Sequence, residues 1–97
     1  MIKIRHTGIV TRNLKKSLFF WQELLGFKQV NSQLENGRLI DAVLGYKNVI
    51  VRTIKLKDKK NNLIELLYFI NSPNFSKKNV KPYTPGYTHI SVTVKNI

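Results

Sequence analysis

Gly86-Tyr87-Thr88-His89-Ile90-Ser91-Val92-Thr93-Val94-Lys95-Asn96-Ile97 replays the start of the same chain. Laid without a gap on Arg5-His6-Thr7-Gly8-Ile9-Val10-Thr11-Arg12-Asn13-Leu14, it puts His89 on His6, Val92 on Ile9 and Lys95 on Arg12. Asn96 then falls on Asn13 and Ile97 on Leu14. The chain has no other histidine. Both stretches alternate like half-buried strands. Two readings are open. The likeness is a generic one between strands, or a module of about eighty residues restarts here and its first strand ends the chain.

Working outward from the first copy, Ile2 to Thr11 alternates well enough for a strand. Ile2, Ile4, His6, Gly8 and Val10 share one face, so His6 points the same way as apolar neighbours. Gly8 adds no side chain after it, which leaves space beside the imidazole. Taken alone, His6 reads as a core histidine with a satisfied ring nitrogen. Asn13 then caps a helix, its side-chain oxygen taking a free amide of the first turn. Leu14, Leu18, Trp21 and Leu25 recur at helical spacing, and Gly26 closes the helix.

Phe27 to Gln33 reads as a second strand, Asn36-Gly37 as a turn, and Leu39 to Leu44 as a helical turn. Asn48 to Leu56 alternates as a third strand, and Lys57-Asp58-Lys59-Lys60-Asn61-Asn62 is a polar hairpin loop. Leu63-Ile64-Glu65-Leu66-Leu67-Tyr68-Phe69-Ile70 is a fourth strand, antiparallel to the third. It is almost continuously apolar, as in a strand covered on both faces. Glu65 sits in its middle. A carboxylate buried alone is costly, so it is protonated, paired or bound to a cation. The competing reading is an edge position, with the carboxylate in water or on a neighbouring lysine.

Asn71 to Pro85 holds every proline of the chain and reads as a linker. The expected organisation is a module over residues 1–72, a proline-containing linker over 73–85, and a last strand over 86–97. The fold class is α+β: one βαβββ module plus the first strand of a second. Its sheet is curved, mixed or antiparallel, with one packed helix.

Composition narrows the function. Ninety-seven residues make one small domain, and a hydrophobic fraction of 42% suffices for a core. With no cysteine there is neither a disulfide nor a thiolate metal site, which fits a reducing compartment. Met1 to His6 lacks the apolar core of a signal peptide, and no apolar run approaches a membrane span. A cytoplasmic protein without a membrane segment is expected. The net charge of +12 favours an anionic partner. Basic residues are spread over nearly every segment, in short pairs such as Lys15-Lys16, Lys59-Lys60 and Lys77-Lys78. That spread, and the lack of any nucleic-acid motif, argues against nucleic acid.

In this order the residues resemble the glyoxalase/bleomycin-resistance/extradiol-dioxygenase superfamily, the vicinal oxygen chelate fold. The likeness is carried by His6-Thr7-Gly8-Ile9-Val10 with Asn13-Leu14, Phe20-Trp21, and Leu24-Leu25-Gly26-Phe27. Ile64-Glu65-Leu66-Leu67 and Gly86-Tyr87-Thr88-His89-Ile90-Ser91-Val92 complete it. It is nearest to metal-dependent lyases and epimerases such as lactoylglutathione lyase and methylmalonyl-CoA epimerase. The resemblance implies two βαβββ modules around one divalent ion. By position, His6, Glu65 and His89 match three of its ligands, and Glu65 also matches a catalytic carboxylate acting as base. Imidazole and carboxylate suit Zn²⁺, Ni²⁺, Fe²⁺ or Mn²⁺. Such an ion acts as a Lewis acid on two neighbouring substrate oxygens.

The helix, the other strands and the fourth ligand of the second module are missing from these residues. The chain is then the stable part of a longer protein, a shortened inactive frame, or one half of a homodimer. A symmetric dimer would supply His6 and Glu65 twice. The leading expectation is therefore a lyase or isomerase acting on a small anionic substrate with vicinal oxygens, through a dimer. The alternative is a truncated, non-catalytic ligand-binding or dimerisation module of the same fold.

Overall fold

The computed structural model describes residues 2–73, 80–86 and 89–95. The elements are β1 (Thr7–Val10), α1 (Leu14–Leu18), a π-helical segment (Phe19–Leu24), β2 (Lys28–Asn36), α2 (Arg38–Leu44), β3 (Ile50–Lys57) and β4 (Leu63–Phe69). They form one four-stranded sheet in the order β1-β4-β3-β2. β1 runs parallel to β4, and the other two pairings are antiparallel. This is the expected α+β arrangement, βαβββ, with α2 as a second small helix between β2 and β3. Among the described residues no helix is long and apolar enough to cross a membrane.

The helix after β1 begins as its residues dictate. Asn13 Oδ1 accepts the Lys16 amide at 3.0 Å. From Phe19 the hydrogen bonding widens, and Leu25 N donates to Phe20 O at 3.1 Å. Apolar spacing alone predicts a plain α-helix to Leu25. The wider turn differs from it by one residue per bond, a difference that side-chain periodicity does not encode. The segment brings Trp21 edge-on to Phe20 and Phe27, at ring distances of 5.3 and 5.1 Å. Gly26 ends it in the left-handed region, φ 77°, and Phe27 N donates to Trp21 O at 2.8 Å.

Trp21 and Phe27 join Ile54, Leu56, Ile64 and Leu66 in the core, with Ile9, Leu14, Leu18 and Leu25 packed around them. All the strand members of this set lie on one face. The α1 and π-helical layer covers this face, and on the opposite face Val51 and Thr53 of β3 are buried as well. β4 itself is fully covered on one face only. Ile64 and Leu66 are buried, whereas Glu65, Leu67 and Phe69 are partly exposed on the opposite side.

β1 is shorter than expected. Its ladder begins at Thr7, opposite Ile64, and β4 itself begins only at Leu63. Residues before His6 run past the end of their partner, and Ile2 and Ile4 stay exposed. At the other end of the chain, residues 89–94 carry no strand pairing. Tyr87 and Thr88, the start of that expected strand, lie outside the described residues, as do 74–79 of the linker.

The β3–β4 hairpin is pinned by its loop. Asp58 accepts hydrogen bonds from the Lys60 and Asn62 amides at 2.9 and 2.8 Å and from Asn62 Nδ2 at 2.8 Å. Asn61 takes a left-handed conformation, φ 66°, which asparagine tolerates. The Asn62 side chain, and after it the two loop amides, hold the Asp58 carboxyl below its ordinary value of 3.8. A folded-state value below the unfolded one means stabilisation that is present above 3.8 and is lost as pH falls through the folded value. Asn62→Ala is expected to move the Asp58 titration, followed by NMR, back toward that ordinary value. An unmoved titration would show that this amide is not the main cause.

Candidate metal site on the open face

Strand alternation decides which side chains face away from the helix. Ile9, Leu66 and Ile54 point into the core, so Gly8, Glu65 and Lys55 point to the open face. The pairing sets these three side by side. Glu65 is opposite Gly8 in the parallel register and opposite Lys55 in the antiparallel one. His6, two residues before Gly8, reaches the same face. Its Nε2 lies 3.6 Å from Glu65 Oε1, while Lys55 Nζ lies 4.0 Å from Oε2.

This arrangement answers how the acidic residue is tolerated. Glu65 is on a central strand, not an edge, and its side chain is only 16% exposed. It is paired on both flanks. His6 is not a core histidine: its side chain is 35% exposed and stands at the rim of the open face. The space expected beside it at Gly8 is shared with Leu67. A Cβ built at Gly8 would lie 3.3 Å from Leu67 Cδ1. An alanine there would press on the end of the Leu67 side chain, which would have to give by a few tenths of an ångström.

The pair fits two neighbouring positions around a divalent ion. Nitrogen and oxygen ligands about 2.1 Å from such an ion stand roughly 3.0–3.4 Å apart when adjacent. The observed 3.6 Å needs only a small side-chain adjustment. Imidazole with carboxylate is also a donor set suited to Zn²⁺, Ni²⁺, Fe²⁺ or Mn²⁺. The fit is that of a half site. Among the described residues no group of three or more His, Asp or Glu gathers in one place.

His89, the third expected ligand, is thus not brought to the pair. It lines a cavity of about 460 Å³ together with β1, Phe20, Trp21, Ile90 and Val92. The residue that sequence reasoning did not single out is Lys55. Its place beside Glu65 was implicit in the predicted hairpin. Reading it required the register, which the loop at Asp58 sets.

Comparison with known proteins agrees on the architecture. No family model matches the chain, and no curated protein matches it. Among solved structures, a glyoxalase family protein from Bacillus cereus superposes with a TM-score of 0.73 at 19% identity. The match covers 90% of this chain and 59% of that one. The fold is therefore that of a glyoxalase-like module, and the chain spans about three-fifths of the length of that structure.

Proposed function

We propose that the chain carries half of a divalent-metal site, and that the completed site is a glyoxalase-like lyase or isomerase. His6 and Glu65 would hold the ion. Bound there, the ion supplies Lewis acidity toward two adjacent substrate oxygens. A Glu65 carboxylate would take the proton from the neighbouring carbon, a role within reach of a group on the same face. The net charge of +12 draws a small anionic substrate toward that face. The observation that carries this reading is the His6–Glu65 contact, made across a parallel strand pair by the residues that the resemblance marks.

Two ligands do not make a stable octahedral or tetrahedral site. A second copy of the chain, related by a two-fold axis, would add another His6 and another Glu65. In that arrangement His89 is not needed as a ligand. The test is a calorimetric titration with Ni²⁺, run beside analytical ultracentrifugation. The expected result is one ion per two chains, with binding and dimer formation rising together. A monomer that neither binds Ni²⁺ nor gains melting temperature with it would overturn the proposal.

The second reading is a non-catalytic module of the same fold. It is favoured by Lys55, which already supplies a cation to Glu65. On this reading Glu65 needs no ion, and the same titration shows none bound.

A further inference from the structure

We propose that Lys55 is a resident competitor for the divalent ion, and that its ammonium sets the affinity of the His6–Glu65 pair. The inference rests on the metal reading above and concerns how that site is tuned. Glu65 divides its two oxygens between two partners, Oε1 toward His6 at 3.6 Å and Oε2 toward Lys55 at 4.0 Å. Gly8, the other neighbour in register, has no side chain to offer. A carboxylate this poorly hydrated needs a cation. In the metal-free chain Lys55 is that cation.

The two cations differ in how they are held. His6 and Glu65 stand at fixed strand positions, whereas Lys55 is a point charge on a flexible four-carbon stem. Its side chain is 33% exposed, so it can withdraw toward water without breaking the core. An ion taken up by Glu65 meets a like charge on the next strand. Lys55 must then move aside or be tolerated at close range. Either costs affinity. A unit charge about 5 Å from a divalent ion, screened nearly as in water, lowers binding roughly tenfold.

Lys55 thus has two effects of opposite sign. It stabilises the metal-free fold, in which Glu65 would otherwise lack a partner on its β3 side. It also keeps the ion exchangeable. Lys55 is a positioning residue acting through Glu65, and no contact with substrate is needed for this role.

The experiment is a calorimetric titration of the full chain with Ni²⁺ alone, comparing wild type, Lys55→Gln and Lys55→Arg. The expected result is binding roughly tenfold tighter in Lys55→Gln and unchanged in Lys55→Arg, which keeps the charge. A lysine that only supported the fold would give weaker binding when replaced, never tighter. Lys55→Met keeps the length of the stem and gives the same reading should the glutamine variant lose stability. Wild-type binding with equal or weaker binding in Lys55→Gln overturns the inference and leaves the metal reading standing. No binding to either protein removes both.

Discussion

Glu65→Ala is expected to fold and to lose Ni²⁺ uptake. The substitution removes one of the two donors that this chain brings to the site. Loss of a mere supporting partner costs metal sites roughly 10–100-fold in affinity. Loss of a ligand from a two-donor half site should exceed that, and calorimetry should show no heat of binding. The fold should survive because Glu65 is not in the core. Its side chain faces the open side, beside His6 and Lys55, both about one-third exposed. Ion pairs so accessible to water are worth about 0–1 kcal/mol. The melting temperature of the metal-free protein should move by a few degrees at most, in either direction. A variant that becomes more stable and still takes up Ni²⁺ would show that Glu65 is no ligand.

The neighbouring residue should behave in the opposite way. Leu66 is fully buried, in contact with the core beneath the helix. Leu66→Ala leaves a cavity there and should cost about 2–5 kcal/mol. Domains of this size have stabilities of about 5–15 kcal/mol, so the loss is a large part of the whole. A fall of roughly 10 °C or more in melting temperature is expected, read by circular dichroism. Below that transition, Leu66→Ala should bind Ni²⁺ as the wild type does. Adjacent positions on one strand would then separate cleanly, one carrying the site and the other the fold. Equal stability in the two variants would mean that the helix does not pack on the face containing Leu66.

That separation was half legible from the residues. The apolar run of β4 interrupted by Glu65 marked the position as unusual. Which face was covered was not legible, because Leu67 and Phe69 are as hydrophobic as Ile64 and Leu66. Only the placement of the helix shows that one row is core and the other open. Likewise His6, taken alone, read as a core histidine. Its place is one residue before the β1–β4 ladder, which begins at Thr7 and Ile64.

The β1 sequence that the terminal stretch mirrors forms the first strand of a glyoxalase-like module. Its own residues 89–94 carry no strand pairing. A strand's pattern is local, but its hydrogen bonds belong to a partner.

The sequence by itself determined the element order, the cap at Asn13, the stop at Gly26 and the hairpin at Asp58. These depend on interactions among residues a few positions apart. The tertiary structure alone decided that His6, Glu65 and Lys55 form one row across three strands. That row comes from a hairpin pairing joined to a parallel one, and the parallel one unites segments far apart in the chain. The β3–β4 register follows from the Asp58 loop, but the β1–β4 register that brings His6 to Glu65 is set by which faces can be buried together, and no local pattern states it.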